Sequence, residues 1–176
     1  NAYNLGAERG AAGFDRTHML ILNYIYEIPF MRNASGLTRA VLGGWQISGV
    51  TQFQGGVPLN VSMTGTSLGL ANRPNRKAGV EVEGPKTVQQ WFDTTAFEAP
   101  AFGFFGNAGR NILRGPGYVN LDFSVCKVFR FTDRVSVQLR IEAFNLTNTT
   151  HFATPNADLS RGDFGTITRT TGNARI

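Results

Sequence analysis

The chain has 176 residues and a formal net charge of +5, from 17 Lys and Arg against 12 Asp and Glu. Apolar residues reach 41% and aromatics 11%, too much for a disordered chain. The lone Cys126 excludes a disulfide scaffold, and no window reaches the roughly 18 uninterrupted apolar residues of a membrane-spanning helix.

The dominant signal along the chain is alternation with period two. A first strand is expected over 17–30, with His18, Leu20, Leu22, Tyr24, Tyr26 and Ile28 on one face and Met19, Ile21, Asn23, Ile25 and Glu27 on the other. Pro29 ends it, because proline has no N–H to donate. A second is expected over 45–63, with Trp45, Ile47, Thr51, Phe53, Val57, Leu59 and Val61 opposite Gln46, Ser48, Gln52, Gln54 and Asn60. The Gly55-Gly56 pair inside it signals a bulge or kink. A long loop follows over 64–117. A third strand is expected over 118–131, with Val119, Leu121, Phe123, Val125 and Phe129 against Asn120, Asp122, Ser124 and Arg130. Turn chemistry at Thr132-Asp133 joins it in a tight hairpin to a fourth strand over 134–147, where Val135, Val137, Leu139 and Ile141 alternate with Ser136, Gln138, Arg140 and Glu142. A weaker fifth strand is expected over 164–170.

These strands are long, one face is unbroken and apolar, and the other is polar. A tilted membrane-barrel strand of about 9–11 residues, apolar toward lipid and polar toward the lumen, has that pattern. Tyr24, Tyr26, Phe30, Trp45, Tyr118, Phe129 and Phe131 suit the aromatic girdles at the two interfaces. Connections alternate between longer and shorter, as a barrel with long outer loops and short periplasmic turns requires. The reading is therefore all-β: an antiparallel transmembrane β-barrel segment of about four long strands plus part of a fifth. The polar, Met-less start and the unfinished pattern at Ile176 lead us to expect a fragment of a larger barrel.

Six segments carry a family resemblance: Tyr24–Phe30 (YIYEIPF), Gly43–Gly49 (GGWQISG), Gly55–Leu59 (GGVPL), Trp91–Phe97 (WFDTTAF), Phe105–Asn111 (FGNAGRN) and Glu142–Asn148 (EAFNLTN). In this order they resemble the C-terminal barrel region of TonB-dependent outer-membrane receptors, most closely the Oar-like subgroup with a carboxypeptidase-regulatory-like domain at its N-terminus. The resemblance spans nearly the whole chain. It implies a Gram-negative outer membrane, a 22-stranded barrel with a plug in its lumen, and energised uptake of a scarce solute. The implied partners are outer-membrane lipid, the plug domain of the same full-length chain, the TonB complex through the missing N-terminal part, and an unknown small solute or peptide.

Candidate chemistry is thin. Gly65-Thr66-Ser67-Leu68-Gly69 fits the G-x-S-x-G nucleophile pattern, but no helical period follows it, and His151 is the only downstream histidine. No enzyme activity, catalytic residue or cofactor is expected. His18 and His151 are not at ligand spacing and the acidic residues lack an EF-hand pattern, so no metal is expected. The lysines are only Lys77, Lys86 and Lys127, and the arginines are scattered without forming a stripe, so no nucleic acid is expected. The long loop holds the ligand candidates: Trp91, Phe92, Phe97, Phe104, Phe105, Arg110 and Arg114, residue types enriched at binding hot spots. The bland alternative is that its aromatics pack the loop against itself. Gln138, Arg140 and Glu142 share the lumen face and are candidates for contact with the plug, or for a cross-strand ion network. Lys127 falls on the lipid face near the hairpin turn and is expected to snorkel to the headgroups. The competing functions are a secreted or surface-exposed β-domain that binds glycans, and a small structural outer-membrane barrel.

Overall fold

The computed structural model describes residues 5–30, 35–64 and 73–172. Its strands are β1 (Met19–Glu27), β2 (Trp45–Gln54), β3 (Pro58–Leu59), β4 (Asn75–Arg76), β5 (Phe97–Glu98), β6 (Leu113–Arg114), β7 (Tyr118–Arg130) and β8 (Ser136–Ala143). One short helix, α1 (Gly36–Leu42), precedes β2, and 3₁₀ turns cover Leu5–Glu8 and Thr94–Ala96. The chain divides into two compact units, a sheet unit from His18–Gln54 and Tyr118–Thr150, and a loop unit from Gly55–Gly117, His151–Thr171 and the N-terminal residues up to Thr17.

The sheet unit is a four-stranded antiparallel sheet in the order β1-β2-β7-β8. Paired residues in an antiparallel ladder share a face, and the register sorts the alternation into rows. One face stacks Leu20–Phe53–Val119, Leu22–Thr51–Leu121, Tyr24–Gly49–Phe123–Ala143 and Tyr26–Ile47–Val125–Ile141. Its last rows are Trp45–Lys127–Leu139 and Phe129–Val137. The opposite face carries Gln52–Asn120, Ser48–Ser124–Glu142 and Gln46–Cys126–Arg140. A one-residue slip at any pair would turn a strand's apolar set to the polar side. The sheet follows the hydrophobic pattern on β2, β7 and β8, and β1 adds its own apolar set to the same face.

Among the described residues, most of the apolar face has no cover within the unit. Leu20, Leu22, Tyr26, Val137, Leu139 and Ile141 are all exposed. Leaving a Leu, Ile or Val side chain in water costs about 1.5–3 kcal/mol relative to burying it, and a patch this continuous is foreign to a water-soluble surface.

Tyr24 shows how the face is packed. It lies across Gly49, where a Cβ would sit 2.5 Å from the tyrosine Oη and 2.5 Å from the Asp122 carbonyl oxygen. Glycine at this position lets the ring lie flat on the neighbouring strand. Tyr24 is the sixth of the nine residues of β1. Tyr118 leaves the girdle, because its row, Met19–Gln54–Tyr118, belongs to the other face. β1 is apolar on that second face too, through Met19, Ile21 and Ile25.

Several expected boundaries move. The strand expected over 17–30 is confined to Met19–Glu27. The strand expected over 45–63 stops at Gln54. Gly56 approaches the Gly115 carbonyl so closely that a Cβ would fall 1.8 Å from it, and the chain passes into the loop unit. The fourth strand ends at Ala143, because Asp122 Oδ1 accepts the Asn145 N–H at 2.8 Å and Asn145 turns to φ +48°. The fifth strand over 164–170 does not form. That stretch belongs to the loop unit, held by Trp91 N–H to the Gly165 carbonyl at 2.9 Å and Ile167 N–H to the Val88 carbonyl at 2.8 Å. The tight hairpin between β7 and β8 is as expected, with Phe131 N–H and Thr132 N–H both donating to the Val135 carbonyl.

The segment expected as a long loop over 64–117 is not loose chain. Leu59, Val61, Phe92, Ala96, Phe97, Ala108 and Leu113 form a hydrophobic core, with Val80, Val82, Trp91, Ile112, Leu159 and Phe164 packed against it. The strand pairs β3–β6 and β4–β5 are only two residues long, so this unit is held by its core and by side-chain clasps more than by ladders.

Candidate functional site

The loop unit is built around three phenylalanines. Phe92, Phe97 and Phe164 meet edge to face, with ring centroids 6.0, 5.1 and 6.0 Å apart, the geometry favoured by the ring quadrupole. Phe92 is 0% exposed and Phe97 is 4% exposed. Neither can touch a ligand without unfolding the unit, so the sequence expectation for these two is corrected: they are core.

Trp91 and Arg114 are also committed to the unit's own frame. The Trp91 indole N–H donates to the Arg114 carbonyl at 2.7 Å, and Lys86 Nζ stands 5.6 Å from the ring centroid. The Arg114 guanidinium pairs with Asp15 at 2.7 Å and donates to the Gly56 carbonyl at 3.3 Å. It thereby fastens the N-terminal segment to the strand junction. Phe92, Phe97, Trp91 and Arg114 follow the alternative in which the loop packs against itself.

Phe104, Phe105 and Arg110 remain open. Ala101 to Phe104 make a β-turn, with Phe104 N–H on the Ala101 carbonyl at 3.1 Å and Gly103 at φ +82°. A positive φ at the third position is the type II signature and favours glycine. Phe102 and Phe104, on either side of that glycine, are 82% and 73% exposed, and Phe105 is 47% exposed. Phe102 belongs to the same aromatic-rich stretch of the long loop, though not to its short list of ligand candidates, and Gly103 between aromatic residues is a legible turn signal.

Two carboxylates brace this unit. The Thr64 hydroxyl donates to Asp158 at 2.7 Å and the Ser160 N–H at 3.0 Å, and these bonds hold the Asp158 carboxyl below the usual carboxylate range. Asp93 is held low in the same way, by the Thr95 hydroxyl at 2.7 Å and the Thr95 N–H at 2.8 Å. Both groups act as turn locks.

On the polar face of the sheet, Gln138, Arg140 and Glu142 project together from β8. Gln138 donates to Cys126 Sγ at 2.8 Å, and Arg140 pairs with Glu142 at 3.5 Å. Beside them is an open hollow of about 620 Å³, lined in part by Asn23, Ile25, Ser48, Asp122, Glu142 and Phe144. Its walls mix carboxylates with exposed apolar side chains, which suits a surface facing another polypeptide or a solute.

Among the described residues no group of three or more His, Cys, Asp and Glu side chains converges to hold a metal. The G-x-S-x-G segment at 65–69 lies outside the described residues.

A sheet with one continuous apolar, exposed face, and a second face that is mostly polar on β2, β7 and β8, fits lipid on the first side and an aqueous or protein-filled interior on the second. A family model described as an outer membrane beta barrel domain matches residues 1–176. The chain belongs to that family. It is an all-β barrel segment of the outer membrane, and its apolar face meets membrane lipid. No curated protein and no solved structure matches it significantly.

Lys127 stands out on the face of this barrel segment that meets lipid. It was expected to snorkel, but it is 1% exposed. Its ammonium donates to the Gly43 carbonyl and lies 5.3 Å from the Trp45 ring centroid and 5.1 Å from that of Phe129. Two aromatic faces and a carbonyl replace water around the charge. The Trp45 indole N–H in turn donates to the Val41 carbonyl at 3.1 Å, so Lys127 and Trp45 together satisfy carbonyls at the C-terminal end of α1.

Proposed function

We propose that this chain is the C-terminal part of the barrel of a TonB-dependent receptor of the Oar-like type, which takes up a scarce small solute or peptide. The six ordered segments from Tyr24 to Asn148 support the family subgroup. The observation that carries the reading is the long connection, which is a folded unit presenting Phe102, Phe104, Phe105 and Arg110 outward. A barrel with no ligand to recruit does not need so large a structured connection. In this reading the connection is extracellular, and the hollow beside Gln138, Arg140 and Glu142 faces the plug of the full-length protein. The work is binding and gated passage. No bond of the solute is broken and no catalytic residue is needed.

The test uses the full-length protein in detergent and in planar bilayers. It should bind the isolated periplasmic domain of TonB. It should also stay electrically closed until urea unfolds an interior domain, and then open as a large pore. A barrel that neither binds the TonB domain nor opens in urea is a structural barrel, and the receptor reading is wrong.

A further inference from the structure

We infer that α1 is a membrane-interface anchor that lies in the headgroup boundary of the bilayer at the short-connection end of the sheet. Leu37 and Val41, one turn apart on this helix, are 84% and 58% exposed, so none of the described residues of the sheet unit covers them. Residues four apart share a helix face, so α1 presents an apolar stripe outward. Further exposed apolar side chains, Phe30, Phe131 and Val135, belong to the connections at this same end.

The occupant is lipid, because the stripe is continuous with the face that meets the bilayer. Trp45 and Lys127 are the joint. Both stand in the apolar row Trp45–Lys127–Leu139. From there the Trp45 indole holds the Val41 carbonyl and the Lys127 ammonium holds the Gly43 carbonyl. Gly44 continues the link, with its carbonyl accepting the Val128 N–H at 3.3 Å. The helix is therefore tied to the membrane-facing surface at its C-terminal end through several bonds. A tryptophan and a lysine at the border of an apolar band are the residue types that sit at the headgroup level. An apolar helical stripe at that depth buries its side chains into the acyl boundary. This inference rests on the barrel family and is independent of any solute.

The experiment places a spin label at Leu37→Cys or Val41→Cys, with Cys126→Ser, in the full-length protein. The protein is reconstituted in nanodiscs of phosphatidylethanolamine and phosphatidylglycerol. Collisions with oxygen, which partitions into lipid, and with a water-soluble nickel chelate report the depth. Asp133→Cys in the β7–β8 turn is the aqueous reference, and Leu22→Cys, in the mid-sheet row Leu22–Thr51–Leu121, is the acyl-chain reference. The expected result is nickel accessibility at Leu37 and Val41 at least about fivefold below that at Asp133, with oxygen accessibility between the two references. Nickel accessibility at both helix sites equal to that at Asp133, with Leu22 still in lipid, overturns the anchor and leaves the barrel reading standing. Water access at Leu22 as well overturns both.

Discussion

Truncation of Phe92 to alanine tests whether the long connection is a folded unit. Phe92 has no exposed surface and touches both Phe97 and Phe164 edge to face. A buried Phe→Ala change costs about 3–5 kcal/mol, through lost transfer energy and the cavity that remains. At about 1.4 kcal/mol per decade, a loss of about 4 kcal/mol lowers the equilibrium protection of the unit's amides by nearly three orders of magnitude. Hydrogen exchange followed by mass spectrometry reads it directly on peptides containing Val61, Trp91, Phe97 and Leu113. Peptides from β7 and β8 should keep their protection, since Phe92 belongs to the other compact unit. Phe104→Ala is the matched control. Phe104 is exposed at a turn, and such changes stay within about 0.5 kcal/mol. Equal and small losses of protection in Phe92→Ala and Phe104→Ala would falsify the claim that these aromatics divide into core and surface.

Gly49→Ala should destabilise the barrel by about 1–3 kcal/mol through overpacking, since its Cβ meets both the Tyr24 ring and the Asp122 carbonyl. The check is heat-dependent gel mobility of the folded barrel, and an unchanged transition temperature counts against the close ring-to-glycine contact. Arg114→Ala loses the Asp15 pair and the Gly56 carbonyl bond. Because both side chains are more than a third exposed, about 1 kcal/mol is expected after screening, read as faster exchange or proteolysis of the N-terminal segment. The Asp158 clasp should be pH-dependent. Its folded pKa is lowered, so the stabilisation is complete above the ordinary carboxylate value of 3.8 and is lost as pH falls through the lower folded value. Proteolytic sensitivity around Thr64 and Ser160 should therefore rise in acid, and Asp158→Asn should show that sensitivity already at neutral pH. An identical acid response in Asp158→Asn removes the carboxylate from the account.

Much of the sheet was legible because a bilayer enforces a simple rule. The lipid-facing positions are apolar almost throughout, so one face reads Leu20, Leu22, Tyr24 and Tyr26 in β1 and Val137, Leu139 and Ile141 in β8, with clean period-two alternation from Val135 through Ile141 and a second apolar face only in β1. The polar set at Gln138, Arg140 and Glu142 followed from the same alternation, and the register puts it on the face with Cys126 and Ser124. Strand ends were less legible. Gln54 is a stop because of a backbone approach at Gly56, and Ala143 is a stop because Asp122 takes an amide from across the ladder. Both are contacts between residues far apart in sequence. The expected strand over 164–170 failed for a related reason. Its backbone groups are taken by partners such as Val88 and Asn156, and Phe164 is drawn into an aromatic cluster.

The candidate ligand residues divide along the same line. Composition marked Trp91, Phe92, Phe97, Phe104 and Phe105 as one aromatic-rich stretch, and aromatic side chains are equally at home in a core and at a binding surface. Only burial separates them. By itself the sequence determined the solvent on each side of the sheet, since the alternation of apolar and polar residues is a local property that any correct register must respect. The tertiary structure alone decided which aromatics of the long connection are spent on packing and which stay open. It also decided that Lys127 is enclosed by Trp45, Phe129 and a helix-end carbonyl, because a charge in an apolar face is stable only where distant segments supply its partners.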